Sequence, residues 1–365
     1  MTRPIPVRGP RRSPCEAEPA TSSVPRTLAL LPSPIALVNP IGLVESIGRA
    51  SLTALPAIAV LATQVLVAAS MILPGIVSAQ DFADVEIRTT RITESIYMLR
   101  GAGGNIGLSI GDDGAFLVDD QYAPLTDRIQ EAIGELTDED VEFVINTHWH
   151  YDHSDGNENF GRAGALIIAH ENSRRRMMTD QYVTVGDRRQ EAYELEGLPK
   201  ISFQQTMSMH LNGEDVDIFH VSNAHTNGDA IVYFRGSDVI HAGDVFVRYG
   251  IPFIDKPNGG SIQGMIAAIY RIAGLIGDDT VVIPGHGDLS TRTDLLEYGQ
   301  MLTTIRDRIQ EGIDAGDSLD DIIASEPLRG FPEPNVGTER FIRWTYETLT
   351  EGPVSWEGSA VTDGR

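Results

Sequence analysis

Short apolar runs, each closed by Gly, Asp, Asn or Pro, dominate the chain downstream of residue 84. Val85 to Arg100 alternates in the β manner and ends in Ile96-Tyr97-Met98-Leu99. Leu108 to Val118 reads as two strands around the turn Asp112-Asp113-Gly114, a hairpin signal. Ile129, Ile133 and Leu136 recur at helical spacing and predict a helix over 125–136. Val141 to Asn146 and Ala165 to Ala169 predict short buried strands, as do Ala230 to Phe234, Val239-Ile240 and Val281-Val282. A helix is expected to begin near Ser261. From Asp294 to Ile313, the residues Leu295, Tyr298, Leu302, Ile305, Ile309 and Ile313 share one helical face, and shorter helices follow near 319–324 and 339–349. Strands interleaved with helices predict an α/β (α+β) fold. No internal repeat is present.

The first eighty residues follow another pattern. Residues 1–40 are rich in Pro, Arg and Ser with no apolar period, which predicts disorder or a start codon upstream of the true one, the leader covering 1–43. Arg49 then precedes a mostly apolar stretch, Leu52 to Ile76, that ends Val77-Ser78-Ala79-Gln80. Basic flank, apolar core and small-x-small end are the parts of a secretory signal peptide, with cleavage expected after Ala79. Export to the periplasm or medium follows, and a membrane is met only if the leader stays uncleaved as an anchor.

A length of 365 with 41% apolar residues suits one large domain with appendages. The expected division is a leader and signal peptide over 1–79, a catalytic domain over 81–310, and a helical extension over 311–365 that packs on the domain or makes a homodimer contact. The single cysteine, Cys15, falls in the leader, which excludes a disulfide scaffold and cysteine-based zinc sites in the mature chain. Net charge is −24, and because residues 1–80 hold six Arg and three Glu, the remainder carries 22 basic and 49 acidic groups, net −27. Such a surface repels phosphate backbones, so nucleic acid is not an expected partner and a small-molecule substrate is.

The richest chemistry lies in His148-Trp149-His150-Tyr151-Asp152-His153, on the loop after Val141–Asn146. Three imidazoles and a carboxylate in six positions are ligands for borderline or hard divalent metals, zinc being the commonest. A loop can aim alternate residues at one point where a helix could aim only some of them.

H-x-H-x-D-H after a short strand resembles the signature of the metallo-β-lactamase fold superfamily. The remaining ligand-type residues of that superfamily follow in order: His225 in Asn223-Ala224-His225-Thr226-Asn227-Gly228-Asp229, Asp244 in His241-Ala242-Gly243-Asp244, and His286 in Ile283-Pro284-Gly285-His286-Gly287. The likeness covers roughly residues 88–310. It implies a four-layer αββα sandwich with a small C-terminal helical extension. It also implies two zinc ions per chain: His148, His150 and His225 would hold the first, Asp152, His153 and His286 the second, and Asp244 would bridge them. Asp152 would act in catalysis, orienting a metal-bridging hydroxide against an acyl bond in a lactam, lactone, thioester or ester. Lactamases of the superfamily that use a cysteine ligand carry it where Asp244 stands, so Asp244 resembles the thioesterase and lactonase members instead. The alternatives are a β-lactamase proper and an iron-dependent, persulfide-dioxygenase-like enzyme using His148, His150 and His225 alone.

Other motifs weigh less. Gly101-Ala102-Gly103-Gly104-Asn105-Ile106-Gly107 looks like a dinucleotide loop but does not open a helix, so nucleotide binding is not expected. Asp119 and Asp120 are candidate partners for metal-bound histidines. Arg174-Arg175-Arg176 reads as a solvated helix face. Phe246 to Ile254, rich in aromatics, reads either as one wall of the substrate pocket or as a loop packed on the core. His170, His210, His220 and His241 read as structural, with His241 near enough to Asp244 to support it.

Overall fold

The computed structural model describes residues 82–355 apart from Gly186. The expected leader, signal peptide and cleavage point lie outside the described residues, as do residues 356–365.

Two sheets stack face to face. In the first, β1 (Arg88–Arg91), β2 (Ile96–Arg100), β3 (Ile106–Gly111) and β4 (Gly114–Val118) form an antiparallel meander. Parallel pairing then extends it through β5 (Val141–Asn146) and β6 (Leu166–His170) to β9 (Ile201–Phe203). The helix α1 (Thr126–Gly134) makes the crossover from β4 to β5, and α2 (Tyr151–Ser154) and α3 (Asn157–Ala163) lie between β5 and β6. The second sheet runs β10 (Thr206–Leu211), β11 (Glu214–His220), β12 (Ala230–Phe234), β13 (Val239–His241) and β14 (Val281–Ile283). It is antiparallel except for the last pair, which α5 (Ile262–Leu275) connects. A small hairpin, β7 (Gln181–Val183) with β8 (Arg188–Gln190), follows α4 (Glu171–Met177).

The period of two along the strands sorts side chains into three apolar layers. Ile96, Met98, Phe116, Val118, Ile145 and Ile168 of the first sheet meet Val216, Ile218, Val232, Phe234 and Ile283 of the second. The alternate residues Leu99, Leu117, Val144 and Ile167 pack outward against Leu125, Ile129 and Ile133. Phe219, Ile231, Ile240 and Val282 pack outward against α5 and α6 (Arg292–Ala315). Helix, sheet, sheet, helix is therefore the layer order, the αββα sandwich expected from the sequence. The C-terminal helices α7 (Leu319–Ala324) and α8 (Thr338–Glu351) join the last layer through Ile322, Phe341 and Ile342. Capping boxes at Thr291 and Ser318 fix where α6 and α7 start. No described helix is long and apolar enough to cross a membrane.

Candidate metal centre

Each of the seven ligand-type residues sits on a loop or short turn that closes a strand. His148 and His150 lie between β5 and α2, and α2 itself carries Asp152 and His153. His225 lies between β11 and β12, Asp244 on the single 3-10 turn Gly243–Val245 after β13, and His286 beyond β14. Packing the sheets face to face brings these loops to one edge of the sandwich.

The side chains converge in three overlapping sets: His148, His150 and His225; His148, His153 and Asp244; and Asp152, His153 and His286, each with its ligand atoms within 4.8 Å of one another. Nε2 of His225 is 2.9 Å from Nδ1 of His150. Nε2 of His286 is 3.2 Å from Nε2 of His153 and 3.2 Å from Oδ2 of Asp152. Asp244 stands between the sets: Oδ1 is 3.2 Å from His153 Nε2 and 3.5 Å from His286 Nε2, and Oδ2 is 3.7 Å from His225 Nε2.

Partners behind the rings decide which nitrogen faces inward. Nε2 of His150 donates to Oδ2 of Asp255 at 2.9 Å, which leaves Nδ1 as the inward lone pair. Nδ1 of His225 donates to the carbonyl of Phe253 at 2.7 Å, and Nδ1 of His153 to Oδ2 of Asp119 at 2.7 Å, so both present Nε2. Thr147 Oγ1 donates its one hydrogen to Asp119 Oδ2 at 2.8 Å. It therefore accepts from His148 Nδ1 at 3.0 Å, and Nε2 of His148 is left free. Asp119 achieves its aim from a left-handed backbone, φ 67°, at the end of β4.

Charges follow from this crowding. Burial, with His153, His225 and His150 around it, pushes His148 well below the usual imidazole range. Burial, with His150 beside it, also lowers His225. For His153 burial acts the same way, but Asp244, Asp152 and Asp119 outweigh it and hold the ring well above the usual range. His286 is likewise raised, by Asp244 and Asp152 against burial. Burial works against charge on Asp152, yet His153 and His286 bring it down to about 2. Asp244 is held well below the carboxylate range by His286, His153 and His225, again against burial. His148 and His225 thus favour the neutral form, beside a second set in which raised imidazoles balance two carboxylates.

A divalent metal fits this donor set. Nε2 of His148 is buried and makes no hydrogen bond, a cost that a cation would remove. Every imidazole of the first set keeps a lone pair turned inward. The side chains of His286 and Asp152 are 25% and 21% exposed, whereas those of His148, His150 and His225 are buried, so the site opens over His286 and Asp152.

Of the two acids expected to support histidines, Asp119 does and Asp120 does not: Oδ1 of Asp120 accepts from the Gly156 N–H at 3.1 Å. Buried His241 accepts from the Gly243 N–H on Nδ1 at 3.2 Å and donates from Nε2 to the Asn105 carbonyl at 3.0 Å, which fixes the turn that bears Asp244. Arg174-Arg175-Arg176 is only partly a solvated face. Arg176 is 2% exposed and donates to Oδ1 of Asn258 at 2.5 Å, while Asn258 Nδ2 donates to Asp255 at 2.7 Å. In Phe246–Ile254 most side chains pack on the core; of its aromatic rings only that of Tyr249 is exposed, with its centroid 5.9 Å from that of His286. Asp255, Thr147 and Asn258 were not anticipated. The signal for Asp255 was available: a carboxylate directly after the apolar run Ile251-Pro252-Phe253-Ile254 demands a buried partner.

A family model described as "Metallo-beta-lactamase superfamily" matches residues 99–296. A curated relative, a hydroxyacylglutathione hydrolase from Polaromonas sp. (strain JS666 / ATCC BAA-500), is 29% identical over 147 residues, 39% of this chain and 47% of the relative. The chain thus matches about half the length of that relative. Among solved structures, a metallo-beta-lactamase from Pontibacter korlensis aligns with a TM-score of 0.51 at 17% identity, over 60% of this chain and 99% of that one. The stereoselective inverting sec-alkylsulfatase Pisa1 from Pseudomonas sp. aligns with a TM-score of 0.55 at 15% identity, over 72% of this chain and 50% of that one. At these identities the structural likeness speaks to fold alone.

Proposed function

Because the chain belongs to the metallo-beta-lactamase superfamily, we propose that it is a metal-dependent hydrolase that cleaves an acyl bond in a small molecule with two zinc ions. The observation that supports this most is the position of Asp244, whose two oxygens face different donor sets. His148, His150 and His225 would hold the first ion, Asp152, His153 and His286 the second, with Asp244 shared. Bound zinc supplies Lewis acidity, lowering the pKa of a water from ~16 towards ~7 and polarising a carbonyl.

The protein's own part is to aim and to seal. Asp119, Asp255 and the Phe253 carbonyl hold three imidazoles in the tautomer that turns a lone pair inward. Asp152, ionised and partly open, would accept a hydrogen bond from the attacking water and so orient it. Trp149 and Phe253, both buried, pack on His150 with ring centroids 4.5 and 5.9 Å away and keep bulk water off the first set. Substrate enters from the side of His286 and Tyr249.

The acyl bond is one in a lactone, thioester or ester, with a lactam kept as the second choice. The relative named for hydrolysis of a hydroxyacylglutathione supports the acyl class, and the carboxylate at position 244 supports it over a cysteine-type lactamase. Export through the leader is part of the same reading and is checked by the intact mass of secreted protein, expected to start at Gln80. Zinc-loaded protein screened against an aryl ester, a lactone, a thioester and a chromogenic cephalosporin tests the reaction class. Turnover of at least one of the first three is expected, and inertness to all four would refute the reading.

A further inference from the structure

The glycine-rich turn after β2 touches two of the four loops that carry the candidate ligands and reaches a third through His241. The Gly104 N–H donates to the carbonyl of Asp152 at 2.9 Å. The Asn105 N–H donates to the carbonyl of Gly285 at 2.7 Å, and Nδ2 of Asn105 donates to the carbonyls of Pro284 and Gly287 at 2.8 and 2.9 Å, on both sides of His286. The Asn105 carbonyl accepts from His241, whose other ring nitrogen holds the Gly243–Asp244 turn. Gln121, fully buried, fastens the turn from beneath: its amide donates to the Gly104 carbonyl at 2.5 Å and accepts from the Gly103 N–H at 3.3 Å.

The absence of a side chain at residue 104 is what permits this approach. A Cβ there would lie 2.5 Å from Nδ1 and 2.6 Å from Nε2 of His153 and would also overlap Cε1. His153 has no room to yield. Asp119 holds its Nδ1, and the ring of His148 packs with its centroid 4.3 Å away.

We infer that Gly103-Gly104-Asn105 is the positioning element of the second metal set: it seats His153 against bare backbone and ties Asp152 of the first sheet's loop to His286 of the second sheet's loop. Resting on the two-ion reading above, this assigns a role to a segment remote in sequence from every candidate ligand. His148, His150 and His225 make no hydrogen bond to the turn, so its direct contacts reach the second set and, through His241, the Asp244 turn, but not the three imidazoles of the first set.

Zinc titration of purified full-length protein against a chromophoric chelator tests this, with cobalt(II) spectra as a second readout of each site. Gly104→Ala should leave the first equivalent at wild-type affinity and weaken the second about 10- to 100-fold, the usual loss when support behind a ligand is removed. Asn105→Ala, which keeps the backbone contacts, should weaken the second by about 10-fold. It also serves if the alanine at 104 prevents folding. Gly274→Ala in α5, where a Cβ meets nothing within 4 Å, is the control and should change neither equivalent. Equal weakening of both equivalents, or of neither, in both turn variants would overturn the inference. A wild-type protein that takes up fewer than two equivalents would instead refute the two-ion reading.

Discussion

Asp255 accepts from Nε2 of His150 at 2.9 Å, across 105 residues of sequence, and both side chains are buried. The carboxylate fixes the tautomer and makes the inward nitrogen more basic. Asp255→Ala should weaken the first metal equivalent about 10- to 100-fold, and Asp255→Asn, which keeps an acceptor in place, should weaken it less. Competitive zinc titration measures both. Unchanged affinity in Asp255→Ala would show that the contact is packing only.

Asp152 and Asp244 should separate catalysis from metal retention. Asp152→Ala should lower turnover about 10³-fold or more while the first equivalent, held by three imidazoles, stays bound. Paired kinetics and metal analysis decide this. Loss of both metals with turnover would assign Asp152 to structure alone.

Asp244→Ala removes the charge that both donor sets face and should lower retention of metal, as seen by dialysis followed by elemental analysis. Asp244→Cys restores an anionic ligand that is too short and soft to be shared in the same way. It should retain the second zinc yet lose activity on the native substrate. Full metal content and normal turnover in Asp244→Ala would contradict the shared position.

Acid sensitivity should trace to His170 and His220, which stack with centroids 3.8 Å apart. Burial, then His220, lowers His170 to about 4, and burial lowers His220. A histidine depressed in the folded state binds its proton more readily when unfolded. Its contribution is therefore intact above the unfolded pKa of ~6.5 and is lost as pH falls from there towards about 4. The loss should be on the order of 2 kcal/mol after allowing for partial exposure. Denaturant melts of wild type and His170→Gln between pH 7 and 4.5 check this. The variant should show the shallower slope, and parallel slopes would rule the pair out.

The layer order was legible because strands buried on both faces leave runs such as Ala230–Phe234, and because α6 shows an unbroken apolar face. Helix ends were nearly so: α6 spans Arg292–Ala315 where periodicity gave Asp294–Ile313. The strands between Gln181 and Phe203 were not, since β7, β8 and β9 are three residues each, too short to show a period. The seven ligand-type residues were legible from type, spacing and turn context, and the fold brings all of them to one place. What supports them was half visible. Asp119 was named beside its neighbour Asp120, which looks identical in sequence but points at Gly156. Asp255 carried a local signal, a carboxylate closing an apolar run, but its partner His150 lies about a hundred residues away and leaves no local pattern, and one buried arginine among three consecutive ones carries no mark of its own.

Metal content tests the central claim most directly. Elemental analysis of protein expressed with trace zinc and iron, followed by chelation and readdition, should find two zinc ions per chain, activity lost in strong chelator, and activity restored by zinc. A single iron per chain, or full hydrolysis in the presence of strong chelator, would contradict it.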